Sequence, residues 1–248
     1  MTVMLMADNT GRKYDPWVVL KMRPSKDADT RDENTLLRRG FSRRLWPSIR
    51  TIEEENAVPI FTNGKGWWNS DLSLLFLQHH FDDRDEQDAP VMLLWDDFSA
   101  HWTVEVVQYA AKKKVVLQRV PPGYTHCCQP ADISWNKPLK DRLRGDWLLF
   151  LKRQCARLTA CVEDKMRAPD RSQVVAWVRS AWDRLSKATI KSGFKKVGLL
   201  FDERVKDPLK SSESNVDNEL ADILEALACT VSEVGEVSWD DDVVSRYL

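Results

Sequence analysis

Val91-Met92-Leu93-Leu94-Trp95-Asp96-Asp97-Phe98-Ser99-Ala100-His101 opens the stretch, residues 91–140, whose reading decides the fold. Val91 to Trp95 is a short apolar run without alternation, the pattern of a strand buried on both faces of a sheet. Asp96 and Asp97 therefore stand at its carboxyl end, where open α/β sheets place their ligand crevice. Thr103 to Lys114 follows as a helix. Thr103 is its candidate cap, Glu105 suits the positive first turn, and Lys112, Lys113 and Lys114 suit the negative last turn. Val115 to Val120 is the next strand, and Pro121-Pro122-Gly123 turns the chain. Gln129-Pro130-Ala131-Asp132 then starts a second helix, with Pro130 in its first turn and Asp132 beside it. The residues between Asp96 and Asp132 suffice for one helix and one strand, so both acids can face one crevice. Carboxylates gathered there suit hard divalent cations, which take oxygen ligands.

Four blocks of this stretch recur together elsewhere: Asp96-Asp97-Phe98-Ser99-Ala100-His101, Pro121-Pro122-Gly123-Tyr124-Thr125-His126, Gln129-Pro130-Ala131-Asp132 and Lys137-Pro138-Leu139-Lys140. In order and spacing they resemble the core of the DDE superfamily of endonucleases and transposases, in the branch holding the pogo, Tigger, centromere-protein-B-like and jerky-like proteins. The resemblance implies an α/β fold, a ribonuclease-H-like mixed sheet flanked by helices with a helical C-terminal extension. It implies that Asp96 is the second catalytic Asp and Asp132 the third, holding Mg²⁺ or Mn²⁺, two ions in the complete site. The activity it implies is metal-dependent cleavage and strand transfer of DNA in the nucleus. His101, His126 and Gln129 belong to the matched blocks as support. Asp97 replaces an Asn of the family pattern and Ala100 a Gly.

The family's first Asp stands in an Asp-Glu-Thr-type motif on a strand before the opening hairpin, and nothing here matches it. The sheet is therefore expected to lack its usual first strand, and the chain as written is not expected to cut DNA alone. Asp8 is the nearest acid, but at the far end of its strand. The alternative is a catalytically inactive domesticated or truncated remnant that binds DNA or protein. An incomplete gene product of marginal stability is a third reading.

Length and composition agree with one sizeable core. The chain has 248 residues and 28.7 kDa, with 43% hydrophobic and 30% charged residues, ordinary proportions for a globular domain. No apolar run approaches the ~18–20 residues of a membrane span, and Met1 to Ala7 reads as a buried strand rather than a leader. Five cysteines without paired spacing suit a reducing compartment and neither a disulfide framework nor a zinc site. A net charge of −1 does not advertise a nucleic-acid binder.

Outward from the central stretch, Thr2–Ala7 and Pro16–Met22 form a hairpin around Asp8-Asn9-Thr10-Gly11. The insertion 23–56 carries Arg43 and Arg44 between Phe41 and Trp46. Either these arginines hold DNA phosphates while the aromatics stack on unpaired bases, or the aromatics anchor a solvated helix and loop. Val58–Thr62 is a strand and Ser70–Phe81 a helix, at whose end His79, His80, Asp82 and Asp83 read as metal ligands or as a wet loop. Pro130 to Gln154 reads as one long helix. Leu139, Leu143, Trp147 and Leu151 form its apolar face, and Lys137, Lys140, Arg142 and Arg144 its basic one. Of these, Lys137, Lys140 and Arg144 are the candidate DNA contacts. Residues 1–201 are thus a partial catalytic core with helical tail. Residues 202–248 read as a linker, one helix at Glu219–Cys229 and an acidic, flexible tail suited to a protein partner or to autoinhibition. A homo-oligomer is compatible with the reading.

Overall fold

The computed structural model describes residues 1–85, 87–160, 166–200 and 231–238. Six strands, β1 (Thr2–Asp8), β2 (Trp17–Lys21), β3 (Ile60–Asn63), β4 (Val91–Trp95), β5 (Val115–Arg119) and β6 (Val231–Ser238), form one sheet in the order β3-β2-β1-β6-β4-β5. β1 is antiparallel to β2 and β6, and the other neighbours are parallel, so β1 alone runs against the rest. With helices on both faces this is a ribonuclease-H-like mixed α/β sheet.

Alternation along β1 explains the two-sided core. All of its residues are buried, and a strand sends successive side chains to opposite faces. Val3, Leu5 and Ala7 join Val18, Leu20, Leu94, Trp135, Trp182 and Phe194 on one face. Met4 and Met6 join Trp17, Phe61, Trp68, Phe76, Leu93 and Trp95 on the other. The first face is covered by α2 (Trp46–Asn56), α6 (Asn136–Ala160), α7 (Arg171–Asp183) and α8 (Lys187–Lys196), and the second by α3 (Ser70–Phe81) and α4 (Val104–Lys112). Caps fix where these helices start: Asn69 accepts from Leu72 N, Ser186 accepts from Thr189 N, and Asp170 and Gln173 form a capping box. Thr103 does occupy the N-cap position of α4, but its side chain makes no capping bond.

Asp8 closes the turn after β1. One oxygen of its carboxylate accepts from Thr10 N, Thr10 Oγ1 and Arg12 N, while Gly11 takes a positive φ of 85°. Because β1 opposes β4, Asp8 lies at the other end of the sheet from Asp96. In the insertion, α1 (Ala28–Arg38) and α2 flank a loop in which Phe41 is buried and stacked with Trp46 at 6.4 Å. Those aromatics are anchors, and Arg43 and Arg44 remain exposed.

Two features depart from the expected outline. The helix after Pro130 is not uniform: Ala131–Trp135 is one π-helical turn, with Asn136 N donating to Ala131 O, before α6 begins. Single π turns occur often at functional sites. The other is β6. The position between β1 and β4, expected to be unfilled, is held by Val231–Ser238 from the segment read as linker and tail. It pairs along the whole of β1 and with Met92, Leu93 and Leu94 of β4. The helix expected at Glu219–Cys229 lies outside the described residues. Among those described, no helix is long and apolar enough to cross a membrane.

Candidate active site at the carboxyl end of β4

Asp96 takes its place because β4 ends there. Val120 N donates to Trp95 O at 2.8 Å as the last rung between β4 and β5, and the chain then bends into a 3-10 turn at Ser99–His101. That bend lets Phe98 N donate to Asp96 Oδ1 at 3.0 Å and Trp102 Nε1 donate to Asp96 O at 2.8 Å. Burial pushes the Asp96 pKa up, the Phe98 N–H opposes this, and the neighbouring carboxylates of Asp132 and Asp97 push it further up.

His101 supports Asp96 from behind. Its ring is 1% exposed and stacks on Trp95 at 4.2 Å with a 9° interplanar angle. Burial lowers its pKa to about 3, so the ring is neutral and carries one N–H. Nε2 stands 3.5 Å from Asp96 Oδ1, and Nδ1 is 3.0 Å from Ser73 Oγ. Trp68 Nε1 donates to the same Ser73 Oγ at 2.9 Å. The Ser73 hydroxyl has two acceptors in reach, Nδ1 and Asn69 O, the latter at 3.2 Å. When it donates to Nδ1, the Nε2–H faces the carboxylate.

Asp97, the departure from the family's Asn, is neutralised. Arg119 Nη1 lies 2.8 Å from Asp97 Oδ1, and its guanidinium sits 4.2 Å over the Trp102 ring.

Asp132 comes from a separate element, exposed on the π-helical turn. Asn136 Nδ2 donates to its Oδ1 at 2.7 Å, while the buried Asn136 Oδ1 has no hydrogen-bond partner. The turn is pressed against α8 at Gly193, where a Cβ would stand 2.6 Å from Ser134 Oγ and 2.7 Å from Pro130 O. Ser134 Oγ also donates to Thr189 O of α8 at 2.9 Å. A glycine is thus required for α8 to hold the Asp132 turn in place.

The structure brings Asp96 and Asp132 close enough for their charges to interact. The other residues singled out from sequence scatter. Gln129 is buried, and His126 is exposed on the short helix α5 (Thr125–Cys128) beside Cys127 and Cys128. Lys137 is exposed and Lys140 half-buried. Arg144 is exposed and paired with Asp141 at 3.2 Å, whereas Arg142 turns to the carbonyls of Pro138 and Arg184. His79 and His80 belong to the aromatic layer, with His80 at 4.4 Å from Phe76 and pushed down to about 3 by burial. Among the described residues no group of three or more His, Cys, Asp or Glu is arranged to hold a metal ion.

Sequence reasoning missed Ser73, Trp68, Arg119, Asn136 and Gly193. Only Asn136 carried a local signal, standing four residues after Asp132 on a helix. Next to Phe98 an open groove of about 620 Å³ is lined by Asn63–Lys65, Trp67–Ser70, Phe98–Ala100 and Thr103. Trp67 is 59% exposed there, with Lys65 Nζ 5.5 Å from its ring.

Compared with known proteins, residues 1–194 match the family of DDE superfamily endonucleases. A human protein described as a pogo transposable element with KRAB domain is 29% identical over 108 residues, covering 42% of this chain and 17% of that relative. The match therefore spans less than a fifth of that relative's length. No solved structure matches.

Proposed function

Because the chain belongs to the DDE superfamily of endonucleases, we propose that the crevice between Asp96 and Asp132 binds divalent cations, Mg²⁺ or Mn²⁺, and acts on DNA phosphodiesters in the nucleus. The observation that carries this reading is the meeting of two carboxylates from separate elements, one on a strand end and one on a helix start. The residues fit such ions. Both donors are carboxylate oxygens, and the repulsion that Asp132 adds at Asp96 is what a bound cation relieves.

In this reading Asp96 and Asp132 hold the ions. Bound divalent cations supply activation of the attacking hydroxyl and stabilisation of the leaving oxygen. His101 holds the Asp96 carboxylate in place through its Nε2–H. Lys137, Lys140 and Arg144 on α6, with Arg43 and Arg44 before α2, contact the DNA backbone. The groove at Trp67 receives unpaired bases, with Lys65 near their phosphates.

One observation favours a second reading, a DNA- or protein-binding module without cleavage. Asp8, the acid nearest in sequence to the family's first position, is committed to its own turn at the far end of the sheet. One experiment separates the readings. Mn²⁺ binding and nicking of supercoiled DNA are measured for the wild type, Asp96→Asn and Asp132→Asn. Loss of Mn²⁺ binding in either variant, together with any nicking the wild type shows, supports the cation site. DNA binding unchanged in all three proteins, with no Mn²⁺ bound by the wild type, replaces it with the module. Nicking that survives both substitutions overturns the assignment.

A further inference from the structure

β6 is the last of the described strands, yet it lies inside the sheet, between β1 and β4. Residues 197–230 separate it from α8. At up to ~3.3–3.6 Å per residue, such a length of chain reaches anywhere on a molecule of this size.

Its composition does not match its position. A strand covered on both faces is normally an almost unbroken apolar run, as β1 (Thr-Val-Met-Leu-Met-Ala-Asp) and β4 (Val-Met-Leu-Leu-Trp) are. β6 reads Val-Ser-Glu-Val-Gly-Glu-Val-Ser. Five of its eight residues are Ser, Glu or Gly. The strand's main offering is its backbone: register partners run along β1 from Thr2↔Ser238 to Asp8↔Ser232, and along β4 from Met92↔Val231 to Leu94↔Glu233. Main-chain pairing with weak side-chain demand is the mark of strand addition, in which an extended segment docks onto a sheet formed from other parts of the chain.

The walls of the slot have the reverse character. β1 is buried along its whole length, and its N–H and C=O groups on the β6 side need partners. The two half-sheets, β3-β2-β1 and β4-β5, are joined through β6 alone in the strand order.

We propose that the gap between β1 and β4 is a binding slot for an extended peptide strand, occupied in this protein by its own tethered segment Val231–Ser238, which docks and undocks without unfolding the rest. The slot adjoins the site, because β6 pairs with the residues of β4 that lead directly into Asp96. Docking thus fixes the strand that carries Asp96. This last consequence rests on the cation-site reading; the docking itself does not.

The test uses the full chain. Hydrogen exchange read by mass spectrometry should show β6 amides exchanging at least tenfold faster than those of β2 and α7. Val234→Pro, which removes a backbone donor from the middle of β6, should strip protection from β6 and from β1 and β4. β2, β3 and α7 should stay protected. An added peptide of residues 230–240 should restore the β1 and β4 protection. Should Val234→Pro prevent folding, the same peptide carrying a fluorophore is titrated into the wild type, where saturable binding that displaces β6 is expected. β6 amides as protected as the β2 core, or no binding of the peptide to either protein, overturns the proposal. Protection that rises with protein concentration, accompanied by dimers, also overturns it, because the strand then comes from a second copy. Mn²⁺ titration keeps the two readings apart. Wild type that binds no Mn²⁺ removes the cation site and leaves the slot, whereas Mn²⁺ binding with β6 never undocking removes the slot and leaves the site.

Discussion

The two carboxylates are held in place by opposite means. Asp96 ends a central strand, partly withdrawn from water, with a backbone N–H, an indole-anchored carbonyl and the edge of a neutral imidazole fixing its position. Asp132 stands exposed on one π-helical turn, with a single side-chain donor from Asn136, and is placed by the fit of α8 against that turn. One acid is oriented by directed hydrogen bonds, the other by packing beneath it. The crevice should accordingly fail in two distinguishable ways.

The largest effect is expected at His101. His101→Leu keeps the bulk stacked on Trp95 but removes the Nε2–H facing Asp96 and leaves Ser73 without its ring partner. If Asp96 holds a cation as proposed, loss of the group that orients it lowers metal affinity ~10–100-fold, and that range is expected in a Mn²⁺ titration, with Asp132-side packing intact. His101→Gln should recover part of the loss. Equal affinities for wild type and His101→Leu would mean that Asp96 is positioned by its backbone contacts alone.

Gly193→Ala probes the packing route. The added Cβ meets a backbone carbonyl at 2.7 Å, which cannot rotate away, so α8 or the π turn must shift. Overpacking of this kind costs about 1–3 kcal/mol, to be read from urea denaturation, and Mn²⁺ affinity should fall with it. Asn136→Ala should be milder. It deletes the one donor to Asp132 but also removes the partnerless buried Asn136 Oδ1. The two consequences offset, leaving roughly 0.5 kcal/mol or less of stability change, and a Mn²⁺ affinity loss smaller than that of His101→Leu. If Asn136→Ala weakens Mn²⁺ binding more than His101→Leu does, the contrast between the two acids is reversed.

The same contrast explains what could be read from the sequence. β4 and its acid were legible because an apolar pentad followed by two aspartates is a local pattern. Asp132 was legible because Pro130 marks a helix start. The hairpin of β1 and β2 was legible from the polar turn at Asp8–Gly11. What supports the acids was not, since Ser73, Trp68 and Gly193 lie far from them along the chain and carry no local signature. The Arg119–Asp97 pair spans two strands in the same way. β6 was hidden for a different reason: Val-Ser-Glu-Val-Gly-Glu-Val-Ser is too polar for a central strand, and its place follows from the backbone pairing that β1 and β4 offer it.

The smallest effect expected at neutral pH sharpens the comparison when acid is added. The face of the sheet behind Asp96 holds His80 and His101 among its aromatics, both lowered by burial to about 3, whereas His126, in the short helix before the Asp132 turn, is exposed. An unfolded chain binds protons on its histidines below about 6.5, while these two stay neutral in the folded state. Their contribution to stability is therefore complete above pH 6.5 and declines as pH falls from there towards 3. Glu53 and Asp96, both raised mainly by burial, act in the opposite sense at the acid end of this window. His80→Phe separates the two trends. At pH 7 it removes a buried Nε2 without a partner and should leave stability unchanged or raise it by about 1 kcal/mol. Between pH 6.5 and 4.5 the advantage of the variant in thermal unfolding should widen steadily, because only the wild type must keep that ring neutral against a rising proton concentration. A constant difference across the window would show that His80 titrates normally, and that acid does not loosen the Asp96 side of the sheet before the Asp132 side.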